Sequence, residues 1–185
     1  EGERDAPVVL RSGEMMDGEA VFPIKKILRG AGACSKRGFG VLGDEPLFLT
    51  ESGVFALTEH DTTGERYLQR RSWFIDKALC AENGLEHAAF CPWKNFMLVA
   101  VNDKVYLLDG GQKTYESAAP YSTFQYECYY WTGIPARCIT VMQNILCFGD
   151  ANGNVYTFHE PGVLTAGAYT DDGVAISAHW DLPDI

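Results

Sequence analysis

Short apolar runs separated by turn residues are the dominant pattern of this chain. The clearest example is residues 45–58, where two strand-sized apolar segments flank the turn residues 51–53. Residues 96–109 and 145–158 follow the same plan. In all three, an apolar run leads into a turn that contains Gly, Asn or Asp, and then into Val and an aromatic residue. The pattern predicts a β-hairpin that occurs three times.

The aromatic residues that mark these hairpins are regularly spaced. Phe55, Tyr106 and Tyr156 lie 51 and 50 residues apart. A strand-like segment of small residues precedes each hairpin, and a strand-like aromatic segment follows it. The preceding segments begin at residues 39, 88 and 137, and the following segments begin at 67, 125 and 174. Each repeat thus supplies four strands, which is typical of a β-propeller blade of roughly 40–50 residues.

We therefore predict an all-β protein, namely a β-propeller fragment of about 3.5 four-stranded antiparallel blades that forms a single domain over residues 1–185. The predicted units are a half blade at 1–28 and blades at 38–76, 86–132 and 136–181. An incomplete propeller exposes sheet faces and strand edges, so we expect either further blades or a second copy of the chain to cover them. The chain begins without Met and enters in mid-repeat, and we expect it to be part of a longer polypeptide.

Composition agrees with this fold class. The 185 residues are 46% hydrophobic and include 19 Gly, 8 Pro and 12% aromatics, which suits a turn-rich β protein with a sizeable core. The net charge of −10 argues against binding to nucleic acid or to an anionic membrane, because both require a basic surface. The apolar runs are shorter than the roughly 20 residues of a membrane helix, and no signal peptide is recognisable. We therefore expect neither a nucleic-acid nor a membrane partner.

The cysteines resemble small core residues more than ligands or disulfide partners. None forms a C-x-x-C pair, and four lie inside apolar strand-like runs. We predict buried, reduced thiols, as expected of synthesis in a reducing cytosol. The six are Cys34, Cys80, Cys91, Cys128, Cys138 and Cys147.

Two patterns that suggest cofactor or metal chemistry are better explained as turns, and the histidines form no metal-binding motif. Gly30 and Gly32 lack the third glycine and the following helix of a dinucleotide site. Residues 150–154 place oxygen ligands at alternate positions, but the glycine is misplaced for a calcium loop and Pro161 stands where its last glutamate belongs. The histidines have no partner at zinc-site spacing; they are His60, His87, His159 and His179. We predict no catalytic, cofactor-binding or metal-binding residue.

Two surface functions remain as alternatives. Aromatic side chains cluster at residues 126–131, on both faces of the predicted strand. Core packing accounts for them, but Trp131 and Trp180 are candidates for stacking on a carbohydrate. Acidic residues near the C-terminus raise the alternative of a glycoside hydrolase, which needs two facing carboxylates; they are Asp171, Asp172, Asp181 and Asp184.

Residues 76–82 form the one segment with helical character.

Several whole segments of the chain resemble a known family. Residues 10–22, 45–57, 120–137 and 169–180 together are similar to structural proteins that bacteriophages and prophages encode. The resemblance implies a virion component, in the tail or the neck, with propeller-like repeats and with other virion proteins as partners. It also implies assembly in the bacterial cytoplasm and supplies no catalytic residue, so we expect a protein that is not an enzyme. Binding to a carbohydrate or a host receptor, and glycoside hydrolysis, are the alternatives.

Overall fold

Antiparallel hairpins build most of the chain, as the alternation of apolar runs and turns predicts. The structure, a computed structural model, describes residues 8–28, 32–59, 66–115, 117, 123–159, 169–171, 174–176 and 178–183. Within them the protein is all-β, apart from a single turn of α-helix, α1 (Asp76–Leu79), and a 3₁₀ turn (Leu85–His87). No helix among the described residues is long and apolar enough to cross a membrane.

The first four strands form one long hairpin, which we call the N-terminal hairpin. They are β1 (Val8–Arg11), β2 (Glu14–Met16), β3 (Glu19–Val21) and β4 (Ile24–Leu28). β1 pairs with β4 and β2 with β3, both antiparallel. Asp17 and Gly18 reverse the chain with φ values of 52° and 84°, as a two-residue type I′ turn requires. Residues 1–7 of the predicted half blade lie outside the described part.

Three four-stranded sheets follow. The first sheet contains β5 (Phe39–Leu42), β6 (Glu45–Thr50), β7 (Gly53–Glu59) and β8 (Arg66–Arg70). The second sheet contains β9 (Ala89–Trp93), β10 (Phe96–Val101), β11 (Lys104–Tyr115) and β12 (Phe124–Thr132). Both are antiparallel meanders in chain order. The third sheet contains β13 (Cys138–Met142), β14 (Ile145–Gly149), β15 (Val155–His159) and β18 (Ala178–Asp181).

The third sheet departs from the predicted antiparallel unit. Its fourth strand, β18, runs parallel to β15. The predicted strand at 174–180 is divided, because β17 (Val174–Ile176) pairs with β16 (Tyr169–Asp171) in a separate hairpin. This hairpin lies between β15 and β18 in the chain, and β18 reaches the sheet edge in the same direction as β15. No closed ring is formed by the sheets of the described residues, and the blade number stays a prediction.

Equivalent residues form matching rows across the three sheets. We call the face that bears the rows of Phe55, Tyr106 and Tyr156 the front face, and the opposite face the back face. The front rows are Phe39–Phe48–Phe55, Phe90–Val99–Tyr106 and Ile139–Phe148–Tyr156. The back rows are Gly40–Leu47–Ala56, Cys91–Leu98–Leu107 and Thr140–Cys147–Thr157. The three marker aromatics of the sequence therefore occupy one structural position.

The sheets pack face to face in chain order. Leu47, Leu49 and Val54 on the back face of the first sheet share one core with Val99 and Tyr106 on the front face of the second. A second core joins the back face of the second sheet to the front face of the third in the same way. The middle sheet is thus buried on both faces, which explains why both faces of β12 carry aromatic residues.

One glycine is closely approached across this packing. A Cβ at Gly40 would lie 2.6 Å from Cε of Met97, which crosses the first core.

Backbone hydrogen bonds also join the first and second sheets. The amide of Phe90 donates to the carbonyl of Arg37 at 2.9 Å, and the amide of Tyr126 donates to the carbonyl of Arg71 at 3.2 Å. The second sheet is therefore fixed to the first along two separate strands, β9 and β12.

Candidate functional site

The two tryptophans predicted as ligand-binding residues lie within the aromatic packing of the second core. Trp131 is 4% exposed, and its ring centroid lies 6.2 Å from that of Trp93 and 6.0 Å from that of Phe158. Trp180 is half-buried and contacts Phe148 edge-on at 5.3 Å. The ring of Trp131 offers no surface for stacking on a sugar, because the neighbouring sheets cover it.

Asp150 closes its own turn. Its Oδ1 accepts from the backbone amides of Asn152 and Asn154 at 2.8 and 2.9 Å, and its Oδ2 accepts from the Asn154 side chain at 2.8 Å. These hydrogen bonds, the one from the Asn154 side chain above all, lower the pKa of Asp150. The hairpin explanation of residues 150–154 is confirmed, since the carboxylate serves the turn as an Asx cap.

The remaining metal and cofactor candidates are scattered. His87 is exposed beside Glu86, and His159 shares a hydrogen bond with Thr157 at 3.0 Å. Within the part of the chain that the structure describes, no three His, Cys, Asp or Glu side chains are grouped as a metal site. Other predicted positions lie outside the described residues: Gly30, His60, Asp172 and Asp184.

All six cysteines are free thiols, but they are not equally buried. Cys91 and Cys147 are buried, as the sequence predicts, whereas Cys138 is exposed. Cys138 begins β13 on the back face of the third sheet, where the described residues place no further sheet. Burial raises the pKa of Cys91 to about 11 and that of Cys128 to about 12, so both thiols are protonated at neutral pH.

Gly53 is constrained by more than its turn. Its φ is 126°, and a Cβ there would overlap Oδ1 of Asp76. Ser72 donates to the same carboxylate while it accepts from the amide of Val54 at 2.7 Å. Desolvation raises the pKa of Asp76, whose Oδ2 accepts no hydrogen bond from the described residues and lies 3.4 Å from Nε of Arg70. This cluster fixes α1 against the first sheet.

A cleft lies between the first and second sheets. Its volume is about 630 Å³, within the roughly 300–1,000 Å³ that is common for ligand sites. Apolar walls come from Leu42, Pro46 and Leu57 of the first sheet, and Phe124 and Tyr126 of the second face them. The rim carries polar side chains from three separate segments, namely Asp44, Asn95 and Lys113.

A buried arginine, Arg71, binds two residues that line this cleft, Glu45 and Phe124. Arg71 is fully buried and holds Glu45 through two hydrogen bonds, from Nε at 2.8 Å and from a terminal nitrogen at 2.6 Å. Its other terminal nitrogen donates to Gln69 and to the carbonyl of Phe124 at 2.7 Å. The guanidinium carbon lies 3.6 Å from the ring centroid of Phe124. Planar, bidentate pairing of this kind is specific to arginine.

The hydroxyl of Tyr126 completes the network. It donates to Glu45 at 3.0 Å, and its pKa is raised, first by desolvation and then by the neighbouring Glu45 charge. Tyr126 therefore stays protonated, and both oxygens of Glu45 are occupied by donors. The arrangement is rigid and polar, and its groups are bound to one another, so it is suited to holding two sheets together beneath a binding surface.

A bulge in β11 directs Lys113 toward the cleft. The register between β11 and β12 shifts between Asp109 and Lys113. Within the bulge, the amide of Gly110 donates to the carbonyl of Asn95 at 2.8 Å, and that of Gly111 donates to Asp109 at 2.8 Å. Lys113 consequently lies over Phe124, 4.4 Å from the ring centroid. Bulges that reorient a side chain in this way are frequent beside functional sites.

A second polar network joins the loop after α1 to the turn between β10 and β11. Glu82 accepts from Asn102 at 2.9 Å, from Tyr106 at 2.7 Å and from Lys104. Burial alone would raise the pKa of Glu82, but the three hydrogen bonds together lower it. All the partners of Glu82 belong to the β10–β11 hairpin. We therefore infer that Glu82 holds the loop after α1 in position.

The residues of the cleft were not identified from the sequence. Arg71 follows β8 in the sequence and is fully buried. An arginine beside an apolar strand is one sequence signal that could point to a buried ion pair. Its partner Glu45 lies 26 residues earlier, and only the pairing of the strands reveals that the two meet.

Comparisons with known proteins add no identification. The chain has no significant match among protein-family models, curated proteins or solved structures.

Proposed function

We propose that the chain is a non-enzymatic interaction module of a bacteriophage or prophage particle, in which blade-like sheets dock to other virion proteins. Two observations support this proposal: the resemblance of four segments to structural proteins of bacteriophages and prophages, and the packing of three successive sheets front to back, with the middle sheet buried on both faces. Such packing supplies a rigid scaffold whose loops and end faces remain available for partners.

A β-propeller is the architecture that we propose for the complete polypeptide. Equivalent rows recur at a period of about 50 residues, in the range known for propeller blades. The first and second sheets are four-stranded meanders, as blades are. Cryo-electron microscopy of the full polypeptide should reveal a closed ring of such sheets around a channel; an open stack or a sandwich would refute the architecture.

The proposed location in the virion has a direct test. Particles purified from an induced or infected host are separated from free protein on a density gradient and analysed by quantitative mass spectrometry. We expect peptides of this chain at a fixed copy number per major capsid protein, and immunogold label at the tail or neck. Peptides found only in the free-protein fraction would refute a structural role in the particle.

Recognition of a carbohydrate or a host receptor is the second candidate, and the cleft favours it. The rim residues Asp44, Asn95 and Lys113 present a carboxylate, an amide and an ammonium group around apolar walls, a combination that suits polar ligands such as saccharides. A glycan array with the folded protein tests it, with Asn95→Ala and Lys113→Ala as variants. No binding by the wild type, or binding that both variants retain, would exclude this site.

A further inference from the structure

The wall of the cleft that the first sheet provides departs from the repeat. Leu42 pairs with Glu45 in this sheet, and both residues line the cleft. The equivalent pair in the second sheet is Trp93 and Phe96. The first sheet therefore has an aliphatic and a charged side chain at the two positions where the next repeat has large aromatic rings.

The second sheet shows what these positions contain when the space between two sheets is filled. Trp93 is 7% exposed and stacks on Phe96, with 6.4 Å between the ring centroids. Trp93 also contacts Trp131 edge-on at 6.2 Å. Both tryptophans belong to the core that joins the second sheet to the third. Aromatic rings thus occupy, one repeat later, the positions that border the cleft.

The opposite wall of the cleft is aromatic. Phe124 and Tyr126 of the second sheet line it, with their rings edge-on and 5.2 Å between the centroids. Glu45 carries a charge on the facing wall, but Arg71 pairs with it through two hydrogen bonds and Tyr126 donates to it as well. The interior therefore suits a neutral ring, because aromatic pairs stabilise one another and a neutral guest leaves the ion pair intact.

The mouth of the cleft offers hydrogen-bond acceptors. Asp44 and Asn95 line the cleft, and they hold equivalent places in the chain, directly before Glu45 and Phe96. A carboxylate or a carboxamide oxygen accepts a hydrogen bond from the N–H of an indole. The cleft thus combines space for a ring with acceptors for the polar edge of a tryptophan.

We propose that the cleft receives a tryptophan side chain of a partner protein, whose indole packs where Trp93 packs one repeat later. Tryptophans that fill a pocket are frequent hot spots of protein interfaces. The inference rests on the proposed interaction with other proteins and names the contact that carries it. A tryptophan is favoured over a saccharide as the occupant, because the repeat itself fills these positions with rings.

Titration of the chain with N-acetyl-tryptophanamide, followed by NMR of the leucine methyl groups, tests the cleft directly. We expect saturable shifts at Leu42 and Leu57, which both line it, because an indole ring shifts the signals of methyl groups beside it. The dissociation constant should be roughly 0.1–1 mM for a ligand of this size. N-acetyl-leucinamide is the matched probe without a ring and should bind roughly tenfold more weakly or less.

Leu42→Trp copies the second sheet into the first. The added indole should occupy the cleft and weaken binding of the probe roughly tenfold or more. Lys113→Trp serves if the buried Leu42 does not tolerate the change, since Lys113 is exposed at the rim and a ring there should cover the mouth. Val141→Trp is the control, because it adds the same ring at an exposed position of the third sheet and should leave binding unchanged. Thermal melts should confirm that each variant is folded.

Four results would overturn the proposal. The absence of saturable shifts at Leu42 and Leu57 would show that the cleft takes up no indole. Equal binding of the leucine probe would show that no ring is selected. Binding that both Leu42→Trp and Lys113→Trp retain would place the probe elsewhere. Glycan binding that Lys113→Trp blocks, without any response to the indole probe, would assign the cleft to a saccharide.

These measurements use the isolated chain, so their outcome is independent of the test for a place in the virion. If the probe bound but the chain were absent from purified particles, the role in the particle would fall and the assignment of the cleft would stand. The reverse combination would remove the assignment of the cleft alone.

Discussion

The guanidinium carbon of Arg71 lies 3.6 Å from the ring centroid of Phe124, across the boundary between the first and second sheets. Arg71 occupies the position that Trp131 occupies one repeat later, because the Arg71 amide donates to the carbonyl of Val54 as Trp131 pairs with Val105. The same location between two sheets is thus occupied by an ion pair in one unit and by an indole in the next. Either solution can fix the outer strand of one sheet against its neighbour.

Replacing Arg71 should strongly destabilise the protein. Arg71→Met removes every donor to Glu45 from the guanidinium and leaves a partly buried carboxylate, so we expect a loss of roughly 3–5 kcal/mol in the free energy of unfolding. Arg71→Lys should recover little of it, because an ammonium group lacks the planar fork. Urea denaturation measures the change, with the exposed Lys77→Met as control. A loss below about 1 kcal/mol for Arg71→Met, within the range of an ordinary surface change, would contradict the assigned role.

Gly53→Ala should lower the free energy of unfolding more than Gly43→Ala does, although both glycines have a positive φ. Gly43 has a φ of 62° and nothing near its added Cβ, whereas the Cβ at Gly53 would meet Asp76. Gly43→Ala should therefore cost roughly 1–2 kcal/mol for the backbone alone, and Gly53→Ala distinctly more. The double variant Gly53→Ala, Asp76→Ala should recover part of the difference. Equal losses at the two glycines would show that Asp76 yields freely.

The carboxyl of Asp76 should oppose stability as the pH rises. Its folded pKa is raised above the ordinary value of 3.8, so the folded state binds the proton more tightly than the unfolded state does. The free energy of unfolding therefore decreases from about pH 3.8 upward, through the folded pKa of Asp76. The difference between wild type and Asp76→Asn, followed by denaturation at successive pH values, should have this sign. Asp150→Asn should show the opposite sign, because the pKa of Asp150 is lowered.

Trp131 and Tyr130 form a matched pair of neighbouring aromatics. Trp131→Ala should cost roughly 3–5 kcal/mol, as is typical for a large buried aromatic side chain. Tyr130→Ala should cost within about 1 kcal/mol, since its ring is largely exposed. Thermal and urea unfolding of both variants measures the contrast. Similar small losses would mean that the ring of Trp131 is not buried between the second and third sheets.

The six thiols should differ in reactivity toward an aromatic disulfide reagent. Cys138 is exposed and should react first in the folded protein. Cys91 is buried and should react only on unfolding, and the half-buried Cys128 should react far more slowly than Cys138, because burial raises the pKa values of Cys91 and Cys128 to about 11 and about 12. Timed labelling followed by peptide mass spectrometry measures the order. Fast labelling of Cys128 in the folded state would contradict the packing between the first and second sheets.

The sequence by itself determined the strands and their repetition. Apolar runs, turn residues and the spacing of Phe55, Tyr106 and Tyr156 are local or periodic signals, and the three marker residues do occupy one position in three sheets. The turn role of Asp150 was equally readable, because its hydrogen-bond partners lie within four residues of it.

Only the tertiary structure decided how the strands are directed and which residues meet between the sheets. β18 runs parallel to β15 and follows a separate β16–β17 hairpin. A single strand-like segment at residues 174–180 predicts neither feature. The cleft depends on Arg71 meeting Glu45 and Phe124, which lie 26 and 53 residues away. Such contacts are set by strand register and by the packing of whole sheets. The sequence shows a charged residue next to an apolar run, but it does not show whether that residue is exposed or buried in the folded protein.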